Sequence, residues 1–191
     1  MDDLAKLERL LRYMCSTRDR GMVFAPGSKG ISMSVLIDAA YGVYPDGKSH
    51  TGSCVVVGER GAVHCKSAKQ QIVTKFSTEA DLVAQSDSSN QALHSRNFII
   101  GQRHACGPLT VYQDSMSCMS LIERGRSAAE RTRHIAIKYF WLKERVDMGE
   151  ARVKHLGTKF MYANQLTKPL QGAQFKSERE GITGWGDHIS A

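Results

Sequence analysis

No stretch of this chain approaches the ~18 consecutive apolar residues that a membrane-spanning helix requires, so no membrane partner is expected. The N-terminus lacks the apolar centre of a secretory leader. Its first residues, Asp2-Asp3-Leu4-Ala5-Lys6, start like a helix with acids near the positive end. There is no Cys-x-x-Cys pair and no internal repeat. The cysteines, Cys15, Cys54, Cys65, Cys106 and Cys118, are odd in number and scattered. That argues against a disulfide framework and for a reducing, intracellular compartment. His104-x-Cys106 is half of a zinc pattern with no second half nearby, so zinc is not expected.

What is present is a globular composition with a basic excess. The chain has 191 residues, 41% of them hydrophobic, enough for one domain of ordinary size with short appendages. Twenty-six Lys and Arg against 19 Asp and Glu give a net charge of +7. This balance favours an acidic partner such as nucleic acid, and fits a solvated basic face about equally well.

Three acids stand at abrupt changes of local pattern. Asp38 ends the apolar run Met33-Ser34-Val35-Leu36-Ile37. Glu79 lies in Ser77-Thr78-Glu79-Ala80-Asp81, where alternation gives way to helical periodicity. Asp114 follows Leu109-Thr110-Val111-Tyr112-Gln113. Carboxylates converging at strand ends make a hard oxygen site suited to Mg²⁺ or Mn²⁺. In a basic chain such a site points to phosphodiester hydrolysis with two metal ions. Taken alone, the same acids also read as helix caps and surface carboxylates.

Leu4, Leu7, Leu10, Leu11 and Met14 recur at helical spacing and predict a first helix to about Cys15. Met22 to Ala25 and Ile31 to Ala39 read as strands. Gly52 to Val57 and Ala62 to Lys66 read as a hairpin turning at Gly58-Glu59-Arg60-Gly61. Helical pattern runs from Thr78 to about Arg103, with Thr78-x-x-Asp81 as a capping pair and a break or exposed face expected at the polar middle, Gln85 to Gln91. A strand over Leu109 to Gln113, a helix from Asp114 to Arg124 and a longer one from Ser127 to Met148 follow. Ala151 to Leu156 is the last strand and Tyr162 to Leu166 a short helix. From Gln171 the chain is polar and Gly-containing, and reads as a partly ordered tail. The order predicts an α/β fold with a mixed sheet, antiparallel hairpin strands plus parallel strands, flanked by helices. Ligands of such sheets bind at strand ends.

Several segments together resemble one family. Leu10-Leu11-Arg12-Tyr13-Met14 with Thr17 to Met22 is similar to the segment that closes the polymerase part of copia-type (Pseudoviridae) retrotransposon Pol polyproteins. Lys66-Ser67-Ala68-Lys69-Gln70 resembles the family's WKSKKQ, Ser77 to Asp81 its STEAEY, and Arg131-Thr132-Arg133-His134-Ile135 its RTKHID. Ala163-Asn164-Gln165-Leu166-Thr167-Lys168-Pro169-Leu170 resembles ADILTKPL. Singly these are weak; in order they are specific.

The resemblance implies an end of reverse transcriptase over 1–27, an RNase H-like domain over 28–170 and a tail over 171–191. Lacking polymerase, protease and integrase motifs of its own, the chain reads as a polyprotein fragment or a truncated element copy. The family cleaves the RNA strand of RNA–DNA hybrids during reverse transcription, using two Mg²⁺ ions. By position, Asp38, Glu79 and Asp114 are the implied catalytic acids, and with Asn164 the implied metal ligands. Asn164 stands where the family has a fourth Asp, which removes a negative charge and predicts weakened or Mn²⁺-dependent activity.

Ala40, Tyr41, Cys65 and Ser115 also depart from the family pattern. Lys66, Lys69, Ser115, Arg131 and His134 are the implied hybrid contacts. The implied partners are an RNA–DNA hybrid and the reverse transcriptase part of the same polyprotein, in the cytoplasm (virus-like particle), the nucleus or both. A catalytically silent module that binds nucleic acid or supports a polymerase remains the other reading.

Overall fold

The computed structural model describes residues 3–25, 27, 30–124 and 141–186. Its centre is a five-stranded sheet in the order β3-β2-β1-β4-β5. The strands are β1 (Met33–Ala40), β2 (Lys48–Val57), β3 (Ala62–Val73), β4 (Leu109–Gln113) and β5 (Ala151–His155). β1 pairs antiparallel with β2 and β2 with β3, while β1–β4 and β4–β5 are parallel. The mixed sheet expected from the order of elements is therefore observed.

Strand composition follows position in the sheet. β1 and β4 are central, covered on both faces, and buried nearly throughout, as their predominantly apolar sequences allow. β3 is the edge strand and is mostly exposed, with Lys66 and Lys69 along it. Edge charges of this kind discourage pairing with another chain.

Five helices are described, in part or whole: α1 (Asp3–Thr17), α2 (Ser77–Gly101), α3 (Met116–Arg124), α4 (141–147) and α5 (Gly172–Thr183). On one face of the sheet, Met33, Val35, Ile37, Val55, Leu109 and Val111 meet Ala84, Ala92 and Leu93 of α2. On the other, Leu36, Cys54, Val56 and Tyr112 meet Met161, Tyr162 and Ala163, in and beside a 3-10 turn, Tyr162–Leu166.

The polar middle of α2 does not break; Asn90 and Gln91 lie on an exposed face, as expected, while Gln85, Ser88 and Ser89 are buried. Ala80, Ala84, Ser88 and Ala92 recur every four residues, so small volume rather than hydrophobicity lets the helix lie close to the sheet. The α2 N-terminus starts after Phe76 with no side-chain cap, so Thr78 and Asp81 do not form a capping pair. Met22 to Ala25 contributes only an isolated bridge, Ala25 to Arg60.

The segment after Gln171 is not a loose tail, because residues 172–183 form α5. It docks where Gly181 gives way to the Tyr162 ring; a Cβ at Gly181 would lie 2.4 Å from that ring. The buried Glu178 of α5 accepts the Gln165 backbone N–H at 2.9 Å and Gln174 Nε2 at 3.1 Å. α5 is thus part of what holds the 162–166 turn against the sheet.

Candidate active site

The site forms where the C-terminal ends of β1 and β4 lie side by side. Their parallel register runs Ser34–Thr110, Val35–Val111 and Leu36–Tyr112. Two residues further along each strand stand Asp38 and Asp114. With a side-chain period of two, both acids share the face of Leu36 and Tyr112. That is the face covered by the 162–166 turn.

Asp38 is buried. Its carboxylate accepts the Thr167 hydroxyl and lies 3.2 Å from Lys168 Nζ. The approach depends on Gly52, the antiparallel register partner of Asp38. A Cβ on Gly52 would meet Ala163 O at 2.7 Å, Thr167 Cγ2 at 2.7 Å and Leu166 Cβ at 2.9 Å. The missing side chain is the space into which the turn carrying Asn164 descends.

Asn164 is also buried. Its Nδ2 donates to Thr158 O at 3.2 Å and its Oδ1 accepts Lys168 Nζ at 3.2 Å. Thr158 Oγ1 donates to Asp114 Oδ2 at 3.1 Å. Asp38, Lys168, Asn164, Thr158 and Asp114 are therefore linked in sequence through side chains and one backbone carbonyl.

Asp81, two residues beyond Glu79 on α2, lies within electrostatic reach of this group. Burial first, then the charges of Asp114 and Asp38, push the Asp81 carboxyl up to about 7, against a hydrogen bond from Ser115 and the charge of Lys168. Glu79 is buried too, but its Oε2 accepts the Lys75 backbone N–H at 2.8 Å, closing the turn that leads into α2. The Asp38 charge also acts on the buried Glu178 of α5, whose carboxyl is raised by burial first. Sequence reading missed Asp81 by absorbing it into a cap. The available signal was its line along the helix, Asp81, Gln85, Ser88 and Ala92, a polar and small stripe in which Asp81 is half-buried and the other three are buried.

These residues suit a hard divalent cation by donor type, since the oxygens are carboxylate and amide and their mutual repulsion raises Asp81. As placed, no three His, Cys, Asp or Glu side chains among the described residues converge closely enough to hold an ion. Lys168 and the two threonines engage the oxygens instead.

The expected hybrid contacts are scattered. Ser115 serves Asp81 and accepts the Cys118 backbone N–H at 3.3 Å. Lys69 pairs with Asp46 at 2.8 Å and covers the Tyr44 ring. Lys66 is half-buried on β3, and Arg131 and His134 lie outside the described residues. No helix among the described residues is long and apolar enough to cross a membrane.

Comparison with known proteins places this arrangement. No protein-family model matches. The fold matches that of RNase H1 from the archaeon Halobacterium salinarum, with a TM-score of 0.50 at 14% identity over 71% of this chain and 93% of that one. It equally matches LC11-RNase H1 solved in complex with an RNA/DNA hybrid, with a TM-score of 0.50 at 14% identity over 71% of this chain and 92% of that one. The fold is therefore that of RNase H structures.

By sequence the chain is 30% identical over 186 residues to the retrovirus-related Pol polyprotein from transposon RE1 of Arabidopsis thaliana, covering 95% of this chain and 12% of that protein. Identity is 28% over 171 residues with the Pol polyprotein from transposon TNT 1-94 of Nicotiana tabacum, 90% of this chain and 13% of that one. It is likewise 28% over 172 residues with the Ty1-JR2 Gag-Pol polyprotein of Saccharomyces cerevisiae, 87% of this chain and 10% of that one. The chain belongs to the copia-type retrotransposon Pol polyproteins and corresponds to their RNase H region. It spans only about an eighth of these relatives' length.

Proposed function

We propose that this chain hydrolyses the RNA strand of RNA–DNA hybrids, with Asp38, Asp81 and Asp114 as the acidic site and Asn164 as an amide ligand in the place of a fourth acid. The carrying observation is the Asp81 carboxyl raised between Asp38 and Asp114 at adjoining parallel strand ends. Like charges held together in a partly buried pocket at the ligand-binding end of a sheet are the condition that divalent cations relieve. A pair of Mg²⁺ or Mn²⁺ ions would supply an activated water and stabilise the leaving oxygen.

This chain's own residues do the positioning. Asp38, with two carboxylate oxygens on a fixed strand backbone, would help hold the ions. Asp81 and Asp114 reach the site from α2 and β4. Asn164 offers an oxygen without charge and has no proton-accepting role. Thr158 and Thr167 orient the carboxylates of Asp114 and Asp38. The net charge of +7 supports a polyanionic substrate.

The test is cleavage of a labelled RNA–DNA hybrid by the purified chain with Mg²⁺ or Mn²⁺, against duplex DNA and against Asp38→Asn. Hybrid-specific cutting abolished by Asp38→Asn is the expected result. Hybrid binding without cutting in either metal would favour the silent module, a reading supported by Asn164 and by the ammonium already seated on Asp38.

A further inference from the structure

Two polar groups of the candidate site share one cationic neighbour. Lys168 Nζ lies 3.2 Å from Asp38 Oδ2 and 3.2 Å from Asn164 Oδ1. Those two residues are 126 positions apart in sequence (164 − 38) and both are buried, yet one ammonium spans them. The turn aims it there. The backbone N–H groups of Thr167 and Lys168 both donate to Asn164 O, at 3.0 and 2.9 Å, which folds the Lys168 stem back over the Asn164 amide.

The exposures of the two partners differ. The Lys168 side chain is 48% exposed and that of Asp38 only 6%. The lysine has a long stem that can carry its charge into water, whereas the carboxylate has nowhere to go. A buried carboxylate must keep a cation or a full set of donors. The Thr167 hydroxyl alone leaves its negative charge uncompensated.

We propose that Lys168 is the site's built-in counter-ion: its ammonium occupies the position between Asp38 and Asn164, and a divalent cation enters by displacing it into solvent. This rests on the reading of Asp38 as a metal ligand. An ammonium and a divalent ion compete for the same oxygens, and the divalent ion prevails through its second positive charge, set against the carboxylates of Asp38, Asp114 and Asp81 together. Asn164 tilts the contest toward lysine, because an amide oxygen accepts an ammonium N–H readily but offers a divalent cation no charge. Metal affinity is therefore governed by Lys168 as well as by the number of acids.

The experiment is Mn²⁺ binding to the whole chain, by calorimetry and electron paramagnetic resonance, for the parent, Lys168→Gln, Asp38→Asn and the double variant, with thermal melts of each. Lys168→Gln is expected to bind Mn²⁺ about tenfold more tightly than the parent, to melt lower without metal, and to regain the loss when Mn²⁺ is added. In the double variant the gain disappears. Lys168→Gln binding no more tightly than the parent, while Asp38→Asn still abolishes the parent's binding, overturns the counter-ion role and leaves the metal site standing. Binding unaffected by Asp38→Asn overturns both.

Spectra of the parent labelled at lysine Nζ give a readout that needs no destabilising variant. The Lys168 signal, assigned with Lys168→Arg, should pass to rapid solvent exchange on saturation with Mg²⁺. A signal unchanged at saturation contradicts the displacement.

Discussion

Glu79 and Asp81 show how two residues of spacing decide a site. On an α-helix, positions i and i+2 are separated by about 200°, so the two carboxylates leave α2 in nearly opposite directions. Glu79 turns back to the Lys75 amide, while burial and the charges of Asp114 and Asp38 act on Asp81. Family likeness alone points to Glu79 as the acid of this motif, while helix geometry sends the two carboxylates apart.

The raised carboxyl of Asp81 has a consequence for stability. Between the ordinary aspartate range near 4 and about 7, the folded metal-free chain holds a proton that the unfolded chain has released. Stability of the metal-free protein therefore falls as pH rises through that window, by roughly 2–4 kcal/mol, and levels off above it. Urea unfolding between pH 4 and 8 in a chelator measures this, and Asp81→Asn should flatten the slope and exceed the parent in stability at pH 8. At Asn164 the missing charge predicts the reverse kind of gain: Asn164→Asp should raise Mg²⁺-supported hybrid cleavage by about tenfold in steady-state assays at limiting metal.

At the scale of elements, β1, β4 and the hairpin are legible because each obeys one simple rule. A predominantly apolar run means a covered central strand, and a Gly-bracketed turn between short runs means a hairpin. α2 is legible in extent but not in face, because its buried stripe is built from alanine and serine, and periodicity scales weigh hydrophobicity rather than volume. α5 is read as a tail for a related reason. Its anchors are a glycine beneath a tyrosine ring and a glutamate bonded to backbone, neither of which leaves an apolar stripe.

Gly52 matters at this scale, since it sets how closely the Asn164-bearing turn approaches β1. Gly52→Ala should destabilise the fold by about 1–3 kcal/mol through overpacking against backbone and branched carbon. Denaturant midpoints with an unchanged m-value would identify it as a packing effect, and divalent-ion binding should weaken in parallel as the turn is pushed from Asp38.

For the whole molecule, the sheet order brings four chain segments to one end of two parallel strands: β1, the start of α2, the end of β4 and the turn after β5. The acids at 38 and 114 can be read from the sequence because each follows a strand-forming run. Their meeting with Asp81 depends on a crossover that only the assembled sheet shows. The N-terminal segment joins the C-terminal one, with Trp185 Nε1 donating to Gly21 O at 2.8 Å, Val23 N to Thr183 O at 2.8 Å and the Tyr13 ring edge-on to Phe175. The division at 27 and 171 suggested by family likeness therefore separates segments that touch. α1 buries none of its residues, and Leu4, Leu7, Leu10 and Leu11 are exposed.

The claim on which this account turns is that Asp38, Asp81 and Asp114 form the working site. Hybrid cleavage by Asp81→Asn and Glu79→Gln, assayed side by side with the parent in saturating Mn²⁺ and with folding checked by circular dichroism, addresses it most directly. Asp81→Asn should lose activity by about 100-fold or more, while Glu79→Gln stays within a few-fold of the parent. Full activity in Asp81→Asn, with loss in Glu79→Gln, would contradict it.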